Sequence, residues 1–565
     1  MILPPFITSF IISYWSILVK FFNDYLIETA LGHARHHLLV KLNKKLDFAP
    51  LENLVAGYHH QTGPGAPATH TSSKLIRAFL VKYLYSLSLR GLEERLYSDM
   101  IIRWFVGYSL FETPPDHTTL ERFELWLRNH HRTRIFDETL RQIRSDYPDE
   151  YQIQIGDTYA MRARAARENL ARLLQHLSRY LLEAGLDSLP HAMETALRGF
   201  EWTALFGIHP EKPEYRLDKE QRAARLLVIA SAAQDLHHRF TLMLKDRPES
   251  EFPALRRQLG YLGKVLNDEF ATQGNQLKRL PPKEHGNLRL GSATDPEATY
   301  RVHGPDPEDT SFGYNIQVAV TKSGFVSQTF AETGAVPDQA GVAKLICQQK
   351  ERQDIYPDKF IYDQAAGCGK TRADVEKASE GQTQLVSRLP NYADRTDRFG
   401  PYSFILSEDG TILTCPNGKS STVAYRAGSG DGRDFRFFDY QCWSGPLPKG
   451  KQAPDPTQAI RCPLWQQCRR VDQGPRSMRQ VFVSDYREQV LAARQYNQTE
   501  EFTQDMKLRP MVERIIFELT HYNDARECRR VGLDNADWQA HMAATAYNLK
   551  HWIRLSDRRL LVARG

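Results

Sequence analysis

The sequence has few cysteines, no strong excess of charge and little glycine or proline. Its 565 residues include seven cysteines, none of them before Cys347, so a disulfide-stabilised secreted scaffold is excluded and a reducing compartment is predicted. The 34 glycines and 30 prolines are too few for a collagen-like or low-complexity chain. Hydrophobic residues make up 41% and charged residues 25%, which excludes a fully disordered protein.

Long apolar runs are also scarce, since only Ile2–Val19 approaches the length that crosses a bilayer. No basic residue precedes this run, as a signal peptide would require, and Pro4 and Pro5 interrupt it. We predict a buried helix or a misassigned start within a variable N-terminal segment, residues 1–45. A membrane anchor is the alternative, but we expect no membrane partner.

The chain is long enough for three or four structural units of about 100–200 residues each. Lysine and arginine number 74 and aspartate and glutamate 68, which gives a net charge of +6. This excess is too small to establish a nucleic-acid partner, although it permits one where basic residues cluster.

Residues 46–150 have the pattern of several short helices. Lys74–Leu89 follows a helical period, and Asp116 or Thr118 could cap the next helix, with Glu121 completing a capping box. Arginines accompany the apolar residues of that helix. The pattern is typical of a small helical DNA-binding domain, and a plain helical bundle is the alternative.

Residues 151–390 predict the first part of an α/β core. Residues 151–159 alternate, which predicts a strand that ends at Asp157, and 359–363 predict another that ends at Asp363. Residues 312–331 predict a β-hairpin, and Leu385 and Val386 a short strand. An arginine-rich helical insertion is expected at about 165–295.

A second insertion, residues 391–480, is rich in glycine, proline and cysteine and is predicted to be irregular and partly β. Residues 481–565 complete the core with helices over 502–522 and 535–556. The predicted fold class is therefore α/β: a mixed sheet with an α-helical N-terminal domain, a helical insertion and a cysteine-containing insertion.

Three carboxylates occupy ordered positions in this plan. Asp157 and Asp363 end strands, and Glu513 lies beside the apolar stripe of a helix. Three such groups can hold two divalent cations, which suit in-line phosphoryl transfer. The alternatives are a helix or turn cap for each aspartate and a surface ion pair between Arg509 and Glu513.

Four cysteines fall within the second insertion. Cys415, Cys442, Cys462 and Cys468 could hold a structural Zn²⁺, although their spacing is not that of compact zinc sites. Four unpaired thiols are the alternative.

Basic groups follow two of the carboxylates. Arg162 and Arg164 come after Asp157, whereas Arg526, Arg529 and Arg530 follow the Glu513 helix. Each group could neutralise DNA phosphates, and a solvated helix face is the alternative. No nucleotide cofactor is expected, because residues 365–371 (AAGCGKT) lack the first glycine of a phosphate-binding loop, where Gln364 stands.

Several strings, in this order, resemble the DDE transposases of bacterial insertion sequences. They are PDHTTLERF (115–123), GDTYAM (156–161), FGYNIQ (312–317), TGAVPDQ (333–339), YDQAAG (362–367), KLRPMVER (507–514), QAHMAA (539–544) and NLKHW (548–552). The resemblance covers roughly residues 45–555. Within it, Ala366, Met506 and Thr520 stand where the family often has Tyr, Tyr and Lys, so contacts of those side chains with the transposon end are in doubt.

The resemblance implies a ribonuclease H-like catalytic core with Asp157, Asp363 and Glu513 as catalytic and metal-binding residues. It implies Mg²⁺ or Mn²⁺, two ions for the set, and cleavage and strand transfer of double-stranded DNA at element ends and target sites. Arg509 joins the DNA-binding candidates. It further implies a homo-oligomer on DNA and a cytoplasmic, nucleoid-associated location in a bacterium. The alternative is a catalytically degenerate, DNA-binding relative.

Overall fold

The computed structural model describes most of the chain. Its described residues are 25–59, 69–207, 217–302, 304, 306, 310–390, 398–438, 442–444, 460–468 and 478–562, apart from 275 and 287. The apolar run Ile2–Val19 lies outside these ranges. No helix within them is both long and apolar enough to cross a membrane.

Helices dominate the described part of the N-terminal region, and seven of them lie wholly between residues 38 and 146. They are α1 (Leu38–Lys45), α2 (Ala49–Val55), α3 (Ser72–Leu84), α4 (Leu89–Ser98), α5 (Met100–Val106), α6 (His117–His131) and α7 (Arg134–Asp146). Asp116 caps α6 by accepting a hydrogen bond from the Thr119 amide at 2.8 Å. The capping box predicted on Thr118 and Glu121 is therefore wrong, because Asp116 already satisfies the first turn.

A six-stranded sheet follows. Its strands are β1 (Ile153–Arg162), β4 (Thr299–Val302), β5 (Thr310–Thr321), β6 (Val326–Thr333), β7 (Lys359–Ile361) and β8 (Gln384–Val386). β5 pairs antiparallel with β1 on one side and with β6 and β4 on the other. β1, β7 and β8 are mutually parallel, so the order is β6-β5-β1-β7-β8, with β4 beside the start of β5.

Helices cover both faces of this sheet. Helices α13 (Val342–Gln353) and α14 (Gly369–Ala378) pack on one face. The other face meets α7, α18 (Pro510–Tyr522) and α19 (Leu533–Val562), with α16 (Arg487–Tyr496) and α17 (Glu500–Met506) preceding them. The result is a three-layer α/β unit, and the predicted mixed α/β class with a helical N-terminal region is confirmed.

Two insertions interrupt this unit. The first has helices and one β-hairpin: α8 (Leu170–Ser188), α9 (Pro190–Ala196), α10 (Trp202–Phe206), α11 (Lys219–Met243), α12 (Pro253–Glu269), β2 (Phe270–Gln273) and β3 (Gln276–Arg279). It has its own apolar core.

The second insertion consists of short strands and one short helix: β9 (Ile405–Leu406), β10 (Leu413–Thr414), β11 (Ser420–Ser421), β12 (Ala424–Arg426), β13 (Gly432–Phe437), β14 (Trp443–Ser444), β15 (Ile460–Arg461), α15 (Trp465–Cys468) and β16 (Arg479–Ser484). Because β16 pairs with β13, the sheet of this insertion continues past residue 480.

The last helix joins the N-terminal helices to the sheet. In α19, Trp538, Met542, Leu549 and Trp552 pack in the same core as α3 and α6, while Ala540 and Tyr547 pack against the sheet. The beginning and the end of the chain therefore share one core.

Three predicted element ends are wrong. β7 ends at Ile361 and not at Asp363, which instead caps a short 3₁₀ helix. β1 does not end at Asp157 but continues to Arg162, because β5 remains paired with it as far as Gly313. The helix predicted over 502–522 is two helices, α17 and α18, since Pro510 lacks an amide proton and starts a new helix.

Candidate active site

The register of the sheet places two aspartates side by side. Ile155 of β1 is paired with Ile361 of β7, and the strands are parallel. Asp157, within β1, and Asp363, beyond the end of β7, each lie two residues further along. Side chains two residues apart share a face, and Ile155 and Ile361 both face the core under α18. The Asp157 carboxylate is thus directed to the side of the sheet that α18 covers, and the Asp363 carboxylate lies close enough for its charge to act on Asp157.

Helix α18 supplies the third carboxylate. The Arg509 guanidinium, just before the helix, donates from Nη2 to Asp157 Oδ2 at 3.0 Å and from Nη1 to Glu513 Oε1 at 3.2 Å. The side chains of Asp157 and Arg509 are each 16% exposed, whereas that of Glu513 is 67% exposed. One buried arginine therefore links the inner aspartate to an outer glutamate.

Burial is the main influence on Asp157. It raises the pKa of this carboxyl above its ordinary value, against the opposing effect of Arg509, and the charges of Asp363 and Asp338 raise the pKa further. Burial, followed by the same three aspartates, also raises the pKa of the Tyr362 hydroxyl. The site therefore concentrates negative charge where little water reaches it, which favours a cationic partner.

Asp338 is part of this charged group, and sequence analysis did not single it out. It accepts hydrogen bonds from Asn315 Nδ2 at 2.8 Å and from Arg301 Nη2 at 3.2 Å, and Arg301 also donates to the Thr158 hydroxyl at 2.8 Å. The available signal was its position in TGAVPDQ, directly after the hairpin. Asp338 follows β6, a strand at the edge of the sheet. Its proximity to Asp157 could not be predicted from the sequence, because it depends on the order of the strands.

The Asp363 loop is a turn and not a phosphate-binding loop. Asp363 accepts a hydrogen bond from the Ala365 amide at 3.0 Å and caps a short 3₁₀ helix, Gln364–Gly367. Gln364 donates to the Leu389 carbonyl at 2.8 Å. Gly367 packs so closely on the Arg388 carbonyl that a Cβ atom there would meet it at 2.0 Å.

The described residues contain no group of three or more His, Cys, Asp or Glu side chains already arranged to hold a metal ion. The donors at the sheet are nevertheless three carboxylates, the hard oxygen ligands that Mg²⁺ and Mn²⁺ prefer. Arg509 provides the positive charge between two of them. The chemistry of the donor set thus fits a divalent cation, once Arg509 moves aside.

The predicted arginines lie further along, at the end of β1 and beyond it. Arg162 forms an ion pair with Glu527, and its amide donates to the Arg526 carbonyl at 3.0 Å. Arg164 donates to the Arg529 carbonyl at 2.5 Å. Asp157 is five residues earlier, about 17 Å at 3.3 Å per residue of strand, so these arginines do not surround the carboxylates.

Arg164, Arg529 and Arg530 instead line a cleft of about 1030 Å³ between the N-terminal helices and the segment that leads into α19. Lys82, Arg90 and Arg128 also line it, opposed by Glu121 and Glu124. We call this the basic cleft. Sequence analysis did not place these three N-terminal basic residues beside the C-terminal arginines, because nothing local shows that α3, α4 and α6 meet the segment before α19.

Contacts within the basic cleft hold its walls together. Arg529 donates to the carbonyls of Leu87 and Ser86 at 2.7 and 3.1 Å, and Arg530 pairs with Glu121 at 2.8 Å. At the floor, Lys82 pairs with Glu124 at 2.7 Å, both almost fully buried, and burial lowers the pKa of Lys82 to about 8.

The four cysteines of the second insertion lie around one space. Cys415, Cys442, Cys462 and Cys468 all line a partly open cavity of about 20 Å³, which we call the cysteine cavity. Sequence separation alone could not show this, since the described segments that carry them are far apart in the chain.

Two family models match the chain. A transposase domain (DUF772) matches residues 30–124, and a transposase DDE domain matches residues 455–553. No curated protein and no solved structure matches. The first match contains the helices α1–α5 and most of α6, and the second contains Arg509, Glu513 and most of α19.

Proposed function

Because the chain belongs to the DDE transposases of insertion sequences, we propose that it binds the terminal inverted repeats of its element and catalyses DNA cleavage and strand transfer. Asp157, Asp363 and Glu513 are the catalytic carboxylates of this proposal. The match of the DDE domain implies dependence on a divalent metal.

The observation that carries the proposal is the register of β1 and β7. It sets Asp157 of β1 near Asp363, which lies two residues past the end of the parallel strand β7, and Arg509 links Asp157 to Glu513 of α18. The order β6-β5-β1-β7-β8, with the first three strands antiparallel and the last three parallel, supports a ribonuclease H-like core.

The three carboxylates would hold Mg²⁺ or Mn²⁺, two ions for the set. When bound, these cations activate the attacking water or 3′-hydroxyl and stabilise the leaving oxygen. Each carboxylate must be ionised to act as a ligand, so Asp157 must lose the proton that burial favours.

Arg509 has two roles in this proposal. Without substrate, it offsets the charge of Asp157 and Glu513. With DNA present, its planar guanidinium can turn to a phosphate beside the scissile bond and donate two hydrogen bonds. Arg301 and Asn315 hold Asp338 and thereby fix the wall next to Asp157.

The basic cleft extends the DNA-binding surface away from the carboxylates. Six basic side chains face two glutamates there, a charge pattern that attracts a phosphate backbone. We propose that duplex DNA lies along this cleft, with Arg164 and Arg530 contacting phosphates and Arg162 and Arg526 flanking the path. Arg529 positions the walls.

Joining two element ends requires two active sites, so we propose a homo-oligomer assembled on DNA. The proposed substrate also places the enzyme in the bacterial cytoplasm, at the nucleoid.

Cleavage of an end-containing duplex by the purified full chain tests the proposal. Asp157→Asn and Asp363→Asn should each abolish cleavage in Mg²⁺ and in Mn²⁺ while duplex binding is retained, because the amide cannot supply the ionised ligand. Asp374→Asn, on the exposed face of α14, is the matched control and should cleave normally.

Full cleavage by either site variant would refute the assignment of the carboxylates. Binding without cleavage by the parent chain, under either metal, would instead identify the degenerate DNA-binding relative. Met506 and Thr520, where the family often has Tyr and Lys, are the observation that favours this second candidate.

A further inference from the structure

Four cysteines that are far apart in the sequence line the cysteine cavity. Cys415 follows β10, Cys442 precedes β14, Cys462 follows β15 and Cys468 ends α15. The cavity of about 20 Å³ is large enough for one water-sized particle and too small for an organic ligand. The four thiols are not already arranged to hold a metal ion, but four cysteine sulfurs are the donor set of a structural zinc site.

The turn at Cys415 already provides a hydrogen bond to sulfur. The Lys419 amide donates to Cys415 Sγ at 3.3 Å, and the Gly418 amide donates to the Cys415 carbonyl at 2.9 Å. Gly418 adopts φ +73°, which permits this tight turn. The turn therefore already uses Cys415 Sγ as an acceptor, and a thiolate sulfur is also the form that ligates metal.

Backbone hydrogen bonds hold the other side of the cavity together. The Cys462 amide donates to the Cys442 carbonyl at 2.8 Å, and β14 pairs with β15 beside them. Cys468 lies one helical turn after Trp465, whose amide donates to the Cys462 carbonyl at 3.0 Å. Three of the four cysteines are therefore held by one small structural unit.

The apolar core of this insertion is small. Six residues form its buried cluster, and among its described strands only β13 and β16 are longer than three residues. A core of this size stabilises a folded segment poorly, and such segments commonly depend on disulfides or a metal. Disulfides are disfavoured in the reducing compartment that the cysteine content predicts.

We propose that Cys415, Cys442, Cys462 and Cys468 bind one structural Zn²⁺. The four thiols release their protons on binding, and side-chain rotation brings the sulfurs together around the ion. A zinc ion with four thiolates carries a net charge of −2, and Lys419 and Arg479, which also line the cavity, offset it. This site is separate from the carboxylates and does not depend on the proposed activity.

Metal content of the purified full chain tests the proposal. Protein prepared with reductant and analysed by plasma mass spectrometry should contain one zinc per chain. Serine at any of the four positions, as in Cys415→Ser or Cys462→Ser, should reduce this to less than half. The control is Cys347→Ser, in α13, which should retain one zinc.

A measurement on the unmodified chain tests the zinc site even if the serine variants fail to fold. Removal of zinc by a strong chelator should expose four additional rapidly reacting thiols, and replacement by Co²⁺ should give the absorption bands of a cobalt thiolate complex. Absence of zinc after refolding with Zn²⁺, disulfides between these cysteines in reduced protein, or equal zinc loss in Cys347→Ser would each overturn the proposal.

Discussion

The six-stranded sheet and the cysteine-containing insertion are stabilised in different ways. The sheet is covered on both faces by helices whose buried residues form two continuous clusters. The insertion has six buried core residues and several strands of two or three residues. Burial of apolar area scales with the size of the core, so packing stabilises the sheet more than the insertion, for which we propose a zinc cross-link.

The two regions also treat carboxylates differently. Asp157 in the sheet is buried, and its pKa is raised. Asp409 in the insertion is exposed in a turn, where hydrogen bonds from Ser407 and Thr411 lower its pKa to about 2. Burial opposes the ionised form of the first carboxylate, whereas hydrogen bonds to the second stabilise its turn.

The largest expected effect is on the rate of the DNA cleavage that we propose for the carboxylates of the sheet region. Glu513→Gln should reduce cleavage of an end-containing duplex by about 10²–10³-fold or more, by analogy with loss of a group that stabilises transition-state charge. Glu518→Gln, on the same helix but paired with Arg554, should change the rate less than twofold, at about the level of assay error.

Equal losses in both variants would show that α18 acts through its packing and not through the Glu513 carboxylate. Single-turnover rates measured at saturating metal distinguish a loss of catalysis from weaker metal binding.

Much of the sheet region follows from local sequence. Alternation predicted β1 and the β5–β6 hairpin, and the aspartates were found because each accompanies a buried strand. The continuation of β1 to Arg162 was not predictable, since it depends on pairing with β5, more than 150 residues away. The Arg509–Asp157 contact likewise spans 352 residues.

The structure of the insertion could be predicted from the sequence only in its general character. Its composition predicted irregular structure, and this is observed in its described residues. Nothing in the spacing of its cysteines indicated that they share one cavity, because short strands carry little periodic signal and the turns between them set the geometry.

The next effect tests whether the two regions unfold separately. Leu345 packs on the sheet and Leu413 in the insertion, and both are fully buried. Leu345→Ala should lower the stability of the main unfolding transition by about 2–5 kcal/mol. Leu413→Ala should leave that transition in place and reduce the protection of insertion amides, as measured by hydrogen exchange.

A common shift of the main transition in both variants would mean that sheet and insertion form one cooperative unit, and it would remove the contrast in how they are stabilised.

We expect a smaller effect of pH on stability, with opposite signs in the sheet and in the insertion. The folded state of the sheet region binds a proton at Asp157 more tightly than the unfolded chain, so this group lowers stability as pH rises from about 4 through its raised pKa. Asp157→Asn should therefore be more stable than the parent at neutral pH, without added metal, and the difference should vanish below about pH 4.

Asp409 has the opposite linkage. Its lowered pKa contributes stability above about pH 4 that is lost as pH falls towards 2. Asp409→Asn should weaken insertion amide protection at neutral pH and match the parent near pH 2. Thermal melts for the first variant and hydrogen exchange for the second check the signs, and the same sign in both would contradict the assigned causes.

The smallest effect separates DNA contacts from surface ion pairs. Arg530 in the basic cleft pairs with Glu121, and Arg426 in the insertion pairs with Asp485, each at 2.8 Å. If Arg530 contacts a phosphate, Arg530→Gln should reduce the slope of log affinity against log salt by about 0.9, because one fewer counterion is released. Arg426→Gln should leave the slope unchanged. Identical slopes for parent and Arg530→Gln would exclude Arg530 as a phosphate contact and restrict its role to the ion pair that joins α6 to the segment before α19.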